Sequence, residues 1–300
     1  MRQFVASLTL ATLLLLSGLP LVHSVQAAPV LSISPQSGAP GTVFLMRGSG
    51  FAADTTIQIR VNDPDGQNRG FPGFTHADAN GAFVYELRSD YNVRGGTHTV
   101  EVRAPLSLGD AVFTTTYRVD LPAQRCFAET GKCMAGRFLA YWYAHGDLAF
   151  NGYPISDEFR ETLEDGNTYL VQYFERVRME YHPEFVGTEY EVSLGQFGRR
   201  IHPADPPVPF LNAEYGGCSY YPQTGHNVCR FQGYYVGAQA EGGADFGLPL
   251  SEQFIETLED GNRYMVQYFE RARLEMHPEV GPDTILLGQF GRRIYSEVKR

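Results

Sequence analysis

The sequence predicts a mainly β fold in which an N-terminal β-sandwich precedes two repeated, hairpin-rich α+β modules. Two observations support this prediction. Short apolar segments with an alternating pattern, separated by turn residues, occupy residues 29–122, and such segments are typical of half-buried strands. The segment 125–201 is then repeated as 217–294, with a proline-rich linker, residues 202–216, between the copies.

Residues 1–27 are typical of a secretory signal peptide. Arg2 is their only charged residue, and it precedes an apolar run that ends near the expected cleavage site after Ala27. A retained membrane anchor is the alternative, but Gly18 and Pro20 interrupt the run, which is shorter than the roughly 20 apolar residues that a spanning helix needs. We therefore expect a secreted, extracellular protein that is associated with the cell envelope and has no membrane span after signal removal.

The charge balance narrows the class of partner. The chain carries 24 basic and 34 acidic side chains, a net charge of −10 at pH 7. A surface of this sign repels polyanions, so nucleic acid is not an expected partner. A polysaccharide of the cell wall or cell surface is the expected partner, and envelope proteins are the other candidates.

Four cysteines form two pairs, each centred on an equivalent turn. Cys126 and Cys133 flank the turn ETG, whereas Cys218 and Cys229 flank the turn QTG. We therefore predict the cross-turn disulfides Cys126–Cys133 and Cys218–Cys229, as expected for an exported protein. A zinc site is the alternative, but neither spacing is CxxC.

The strands of the N-terminal part predict an immunoglobulin-like β-sandwich. Six segments within residues 29–122 have strand character: VLSIS, TVFLMRG, TIQIRVN, AFVYELR, HTVEVRA and VFTTTYRVD. The opening SPQSGAPGTVFLMRGSGF resembles the start of an IPT/TIG domain. That resemblance implies an immunoglobulin-like domain used for spacing or adhesion, with no chemistry of its own.

Two loops of this domain, 63–68 and 78–80, are rich in Asp and Asn. Closely spaced carboxylate and amide oxygens are ligands that Ca²⁺ prefers. The same residue types are also favoured in hairpin turns, and turn formation is the interpretation that we prefer.

Each module is predicted to begin with a short helix and to continue as a hairpin. Phe138, Tyr141 and Trp142 recur at helical spacing, and Gly146 is expected to end the helix. Asp165-Gly166 then joins two apolar arms, which is a strong hairpin signal. A closing strand, EVSLGQFG in the first module and TILLGQFG in the second, ends each module.

The segments Glu161–Glu184 and Glu256–Glu279 differ at only five positions, four of them apolar exchanges. Beyond the hairpin, odd-numbered residues of 171–181 are mostly apolar and are expected to face a core, while even-numbered residues such as Gln172 face solvent. Glu175 breaks the pattern. Either the chain turns there into a second hairpin, or Glu175 is a buried carboxylate paired with an arginine.

Most of both modules resembles the LGFP repeat. The resemblance runs from the first ETG turn through Trp142 and Gly146 to GYPISDE, and FGLP of the second module matches as well. The sequence departs from the pattern where Val177 and Ala272 replace a glycine, and the tryptophan has no clear counterpart near Tyr235. The resemblance implies an exported bacterial protein that is held to the cell envelope by its repeats.

No catalytic residue, metal or cofactor is predicted. Glu180, His182 and Glu184 alternate and could bind Zn²⁺ or Mn²⁺, but same-face residues lie about 7 Å apart along a strand, so we favour a solvated polar face with arginine partners. Glu164 and Asp165 have the residue types of a glycosidase pair, but adjacent residues at a hairpin tip lack the separation that this chemistry needs.

Aromatic side chains near the helix are the predicted ligand contacts, because aromatic faces stack on sugar rings. They are Tyr143, Tyr153, Trp142 and Tyr235, of which Tyr143 and Tyr153 are expected to be most exposed. The predicted function is a non-catalytic, envelope-associated protein whose tandem repeats bind a polysaccharide. An exported hydrolase of such a polymer and a structural or adhesive protein that binds other proteins are the alternatives.

Overall fold

A computed structural model of the chain describes residues 28–68, 73–89, 93–106, 109–211, 217–240 and 245–299. The predicted signal peptide, residues 1–27, lies outside the described residues. None of the helices in the described ranges has both the length and the apolar character that a membrane span requires.

Two sheets form the N-terminal sandwich, and the mainly β prediction is confirmed. The alternation that predicts its strands is visible in β3 (Val43–Ser49), where Phe44 and Met46 are buried while Val43 and Arg47 are exposed. The three-stranded sheet has the order β1-β3-β6, and the five-stranded sheet has the order β2-β8-β7-β4-β5. The strands are β1 (Val30–Ser34), β2 (Ser37–Gly38), β3 (Val43–Ser49), β4 (Thr56–Asn62), β5 (Gly73–His76), β6 (Phe83–Arg88), β7 (Gly96–Leu106) and β8 (Gly109–Val119).

The first module combines a two-stranded hairpin, helices and a four-stranded antiparallel sheet of order β11-β12-β13-β14. The predicted helix ends before Gly146, which has a left-handed φ of 76°. The elements are β9 (Gln124–Phe127), β10 (Lys132–Ala135), α1 (Gly136–Ala144), α2 (Asp147–Asn151), β11 (Phe159–Thr162), β12 (Thr168–Tyr173), β13 (Arg178–Tyr181), a 3₁₀ turn (Pro183–Phe185), β14 (Val192–Leu194) and α3 (Phe197–Ile201).

The second module repeats this arrangement, with a sheet of order β17-β18-β19-β20. Its elements are β15 (Ser219–Tyr221), β16 (His226–Val228), α4 (Gln232–Ala240), β17 (Phe254–Thr257), β18 (Arg263–Tyr268), β19 (Arg273–Met276), β20 (Ile285–Leu287) and α5 (Phe290–Val298).

Both predicted disulfides form, one in each module. Cys126 and Cys133 lie opposite each other in the β9–β10 hairpin, and Cys218 bonds Cys229 across the equivalent turn. The shared position of the two pairs around the Thr-Gly turn therefore identified the connectivity correctly.

The β11–β12 hairpin forms where the Asp-Gly signal predicts it, but its loop has three residues rather than two. The N–H of Gly166 donates to the carbonyl of Leu163 at 3.0 Å, and Gly166 has a φ of 83°. This geometry is that of a type I turn followed by a left-handed residue, a common hairpin connection. Gly261 and Leu258 repeat it at 2.9 Å.

The predicted solvent exposure of the even-numbered strand face is wrong. The chain turns at residues 174–177 so that Tyr173 pairs with Arg178, which places odd residues of β12 on the same face as even residues of β13. The second module covers this face, and α1 with β10 covers the other. Gln172, Arg178 and Glu180 are consequently buried.

Both interpretations of Glu175 are confirmed together. The predicted second hairpin turns at this residue, and the Glu175 carboxylate is mostly buried and paired with Arg292 of the second module. The equivalent carboxylate of the second module, Glu270, pairs in the same way with Arg199 of the first module.

The last helix of each module packs on the other module. The N–H of Arg199 in α3 donates to the carbonyl of Glu270 at 3.2 Å, and the N–H of Arg292 in α5 donates to that of Glu175 at 3.0 Å. We call α3 and α5 the exchanged helices. A single apolar core, which includes Tyr173, Phe197, Tyr268 and Phe290, therefore joins residues from both modules.

Aromatic stacking at this junction is also reciprocal. Tyr295 of α5 stacks on Tyr173 of the first module at 4.8 Å between ring centroids. His202, which follows α3, stacks on Tyr268 of the second module at 4.3 Å. The two repeats are therefore arranged as the halves of an approximately two-fold symmetric pair within one chain.

Candidate functional site

Two pockets open at the junction of the modules, with volumes of about 630 and 660 Å³. Their linings come from equivalent positions of the repeat. The first pocket is lined by Glu164, Tyr169, Glu180, His182, Gln196 and Arg200, and the second pocket by Glu259, Tyr264, Glu275, His277, Gln289 and Arg293.

Each pocket needs both modules. The hairpin tip and β13 supply one wall of the first pocket, and the start of α3 supplies the rim. Arg271 of the second module completes this lining, as Arg176 of the first module does in the second pocket. The exchanged helices bring these groups together, because each helix packs on the module that it does not belong to.

A buried arginine organises the wall of the first pocket. Arg178 is 2 % exposed, and its Nη2 lies 2.8 Å from Glu164 and 2.7 Å from Glu180. Its Nη1 donates to the hydroxyl of Tyr173 at 3.2 Å. Buried charges are tolerated when they are paired and hydrogen-bonded in this way.

The second pocket repeats this network with Arg273. Its Nη2 lies 2.9 Å from Glu259 and 2.8 Å from Glu275, and its Nη1 donates to the Tyr268 hydroxyl at 3.0 Å. The repeated charged residues of the two hairpins therefore serve first to hold the pocket walls.

The two carboxylates on Arg178 differ in their proton affinity. Burial raises the pKa of Glu180 and outweighs the opposing effect of Arg178. Burial also acts to raise the pKa of Glu164, but its hydrogen bonds, together with the charges of Arg178 and Arg200, outweigh burial and leave this pKa below the ordinary value. The pocket wall thus holds one carboxylate that ionises easily and one that resists ionisation.

A histidine and a tyrosine form the next part of each pocket. The rings of His182 and Tyr169 lie 4.4 Å apart, and those of His277 and Tyr264 lie 4.2 Å apart. The Tyr264 hydroxyl donates to Asp260 at 2.7 Å. This hydrogen bond raises the pKa of Tyr264 to about 12.

His277 is held between two carboxylates. Its Nε2 lies 3.1 Å from Glu275 and its Nδ1 lies 2.7 Å from Glu279. Burial acts to lower the pKa of His277, but the hydrogen bonds with Glu275 and Glu279 and the charges of these two carboxylates together outweigh burial, so the pKa is raised. The protonated imidazole therefore stabilises the folded state.

This shift predicts a pH-dependent effect of His277→Gln on stability. Because the folded-state pKa is raised, the stabilisation is fully present below the ordinary value of 6.5 and is lost as the pH rises through the folded-state pKa. The melting temperature of the variant should fall furthest below that of the wild type near about pH 6 and should approach it towards about pH 9. A difference that does not change with pH would contradict this assignment.

Two exposed amides lie at the rims of the pockets. Gln196 and Gln289 precede α3 and α5, and their side chains are exposed. Within the described ranges neither side chain has a hydrogen-bond partner in the protein. Each therefore offers one acceptor and two donor hydrogens to a ligand.

The predicted aromatic contacts lie elsewhere. Trp142, Tyr143 and Tyr235 are at most 8 % exposed, so their ring faces pack against protein rather than sugar. Trp142 and Tyr143 contact Arg125 beneath the helix. The expected exposure of Tyr143 is wrong because α1 turns this side chain towards the strand β9.

Tyr153 is partly buried and lies apart from both pockets. Its hydroxyl donates to Glu129 at 3.2 Å, and its ring contacts Phe127.

Tyr235 is the structural counterpart of Trp142. Its hydroxyl donates to the Gly247 carbonyl at 2.9 Å, as the Trp142 indole donates to that of Gly152 at 3.1 Å.

The other candidate polar groups take part in local hydrogen bonds. Asp165 accepts hydrogen bonds from Asn167 and Tyr169 within the hairpin loop. His182 lies 2.9 Å from Glu184 and 3.6 Å from Glu180. Among the described residues, no group of three or more His, Cys, Asp or Glu side chains has the arrangement of a metal site.

Sequence reasoning missed the residues contributed by the exchanged helices. A signal for them is present, because GQFGRRI occurs without change at residues 195–201 and 288–294. The identical positions include exposed residues such as Gln196 and Arg200. Core packing does not explain why exposed residues are the same in both copies. The sequence predicts a closing strand up to Gly198, whereas the strand ends at Leu194 and the motif continues as α3 at the rim of the pocket.

Comparison with known families identifies the N-terminal fold. The model of the macroglobulin-like domain matches residues 26–117, and this part of the chain is therefore an immunoglobulin-like domain. No curated protein matches the chain.

Solved structures match the chain only at low similarity. Macromomycin is 11 % identical, with a TM-score of 0.24, over 31 % of this chain and 100 % of its own. A tetra-tandem repeat in the extending region of a large adhesion protein is 17 % identical, with a TM-score of 0.27, over 32 % of this chain and 24 % of its own. A bacterial immunoglobulin-like domain from the M. primoryensis ice-binding adhesin is 16 % identical, with a TM-score of 0.21, over 31 % of this chain and 95 % of its own. TM-scores of this size support no functional conclusion.

Proposed function

We propose that this protein is a secreted, non-catalytic protein of the bacterial cell envelope that binds a polysaccharide through its two junction pockets. The observation that carries the proposal is the pair of pockets with equivalent polar linings, built by both modules. The resemblance of the modules to LGFP repeats supports attachment to the envelope. The immunoglobulin-like domain, with its resemblance to IPT/TIG domains, acts as a spacer.

The pocket chemistry favours a hydroxylated ligand. Amide, guanidinium, carboxylate and imidazole groups present both donors and acceptors, which matches the hydroxyl groups of sugars. Tyr169 and Tyr264 add aromatic surface next to these groups. An apolar ligand would leave the same polar groups without partners, which costs affinity.

Two equivalent pockets on one chain suit a polymer with a repeating unit. When one pocket is occupied, the second binds the same strand as an intramolecular event. Weak individual sites therefore give a higher combined affinity for a long polymer than for a short oligosaccharide.

Substitution of the rim amides tests this proposal. Gln196→Ala and Gln289→Ala should each weaken retention on purified bacterial cell walls or their polysaccharide about fivefold, and the double variant about 25-fold, because one hydrogen bond is lost per pocket. The dissociation constant is measured by sedimentation of the protein with the insoluble polymer. Gln223→Ala, at an exposed turn outside both pockets, is the matched control and should bind like the wild type.

A hydrolase is the second candidate, because Glu164 and Glu180 differ in pKa direction at one pocket wall, as paired catalytic carboxylates do. However, Arg178 forms salt bridges with both carboxylates and favours the ionised form of each. Glycoside hydrolysis needs one of the two to be a protonated acid. Release of soluble fragments from the polymer, abolished by Glu180→Gln, would replace the binding proposal with this one. A wild type that is not retained at low salt and releases no soluble fragments would overturn both.

A further inference from the structure

A surface groove of about 570 Å³ lies beside the first pocket, on the first module alone. We call it the module 1 groove. It is lined by Arg137, Glu158, Arg160, Tyr169 and Tyr181. Tyr169 also lines the first pocket, so the groove and the pocket adjoin along one side chain.

The two arginines of this groove differ from those of the pocket walls. Arg178 and Arg273 are buried and carry carboxylate partners. Within the described ranges, neither Arg137 nor Arg160 has a carboxylate within salt-bridge distance. Both are exposed to the groove.

Arg137 is nevertheless held in place. Its guanidinium carbon lies 3.5 Å from the centroid of the Tyr181 ring. Stacking of a guanidinium on an aromatic face leaves the N–H groups at its edge free to donate. An ordered guanidinium loses less conformational entropy when it binds a carboxylate, which favours binding.

Glu158 gives the groove an acceptor beside the two donors. Burial raises the pKa of Glu158, and the charge of Arg137 opposes this effect only in part. A carboxylate in this position can accept a hydrogen bond from a ligand hydroxyl.

We propose that the module 1 groove binds a sugar carboxylate, so that the polysaccharide held by the first pocket is one that contains uronic acid units. The proposal rests on the proposed function and names the ligand class. Arg137 and Arg160 bind the carboxylate through charge-assisted hydrogen bonds, the strongest class available to these side chains. Glu158 contacts hydroxyl groups of the same unit, and the strand continues past Tyr169 into the first pocket.

The repeat itself supports a special role of this groove. At the equivalent strand positions the second module has Ile255 in place of Arg160 and Met276 in place of Tyr181. The second module thus lacks the aromatic platform, and its nearest guanidinium lies at another strand position, where Arg263 replaces the groove residue Thr168.

The net charge of the chain limits the kind of acidic polymer that fits. With a net charge of −10 at pH 7, the protein repels a densely charged polyanion. The groove therefore suits a polymer whose carboxylates are separated by neutral sugars.

The test uses an oligosaccharide that alternates glucuronic acid with a neutral sugar, together with its carboxyl-reduced counterpart. Calorimetric titration of the wild type should show about tenfold tighter binding of the acidic form, as expected for charge-assisted hydrogen bonds. Arg160→Ile, which introduces the residue of the second module, should abolish this preference. Tyr181→Met should reduce it, because Arg137 then loses its platform.

Arg263→Thr is the charge-matched control, since it also removes one exposed guanidinium but lies on the second module. It should keep the tenfold preference. Equal binding of both oligosaccharides by the wild type, or an unchanged preference in Arg160→Ile, would overturn the carboxylate assignment and leave the proposed function intact. Failure of both oligosaccharides and of cell-wall polymer to bind would overturn both.

Discussion

Replacement of Gly291 by alanine should destabilise the first module by about 3 kcal/mol, although Gly291 belongs to the second. A Cβ at this position would overlap the carbonyl oxygen of Phe174 and the backbone of Glu175. Backbone atoms cannot move aside as a flexible side chain can. Helix α5 would therefore have to shift away from the first module. Gly198→Ala should likewise destabilise the second module, because the added Cβ would overlap the carbonyl of Phe269.

The chain offers a specific reporter for this experiment. Trp142 is the single tryptophan, and it is buried in the first module. Its fluorescence during urea denaturation therefore follows the unfolding of that module. A Gly291→Ala protein with an unchanged Trp142 transition would show that the exchanged helices do not couple the modules.

Two other helical glycines provide the matched controls. Gly233 and Gly237 lie in α4, where an added Cβ meets nothing within 4 Å. Alanine there should stabilise the helix by about 0.5–1 kcal/mol, because glycine has the greater conformational freedom in the unfolded chain. The sign of the effect thus separates the glycines at the junction from ordinary helical glycines.

Arg178→Met should destabilise the first module by about 3–5 kcal/mol at neutral pH, because it leaves a buried charge without its partner. Glu180 is 8 % exposed and has Arg178 as its closest cation, at 2.7 Å. Glu164 and the Tyr173 hydroxyl lose a donor as well. Urea denaturation followed by Trp142 fluorescence measures the change in the free energy of unfolding.

A second substitution separates the loss of charge pairing from the loss of packing. Glu180→Gln in the Arg178→Met background removes the unpaired charge, so the double variant should recover at least about 1 kcal/mol relative to Arg178→Met alone. Additive effects of the two substitutions would contradict the assigned pairing. Arg273 and Glu275 offer the same cycle in the second module.

The local elements were predictable because their signals are local. Alternation predicts the sandwich strands, Asp165-Gly166 predicts the first hairpin, and Gly146 predicts the helix end. The disulfides followed from the shared centre of the two cysteine pairs. Each of these features depends on residues that are close together in the chain.

The candidate pockets were not predictable in this way. The parity of the strand faces changes at the turn 174–177, and a one-residue change in register moves every side chain to the other face. Arg178 and Glu180 were therefore assigned to solvent and are buried. The aromatic residues Tyr143 and Trp142 were assigned to a ligand and lie in the core.

The sequence by itself determined that the chain contains a β-sandwich and two copies of one disulfide-bonded module, because period, turn chemistry and repetition are properties of neighbouring residues. Only the tertiary structure decided how the copies use each other. The contacts of Arg199 and Arg292 with the other module join residues that are 71 and 117 positions apart in sequence, and nothing in the local pattern states which surface these helices cover. The near-identity of Glu161–Glu184 and Glu256–Glu279 therefore maintains both a scaffold and the walls of two pockets.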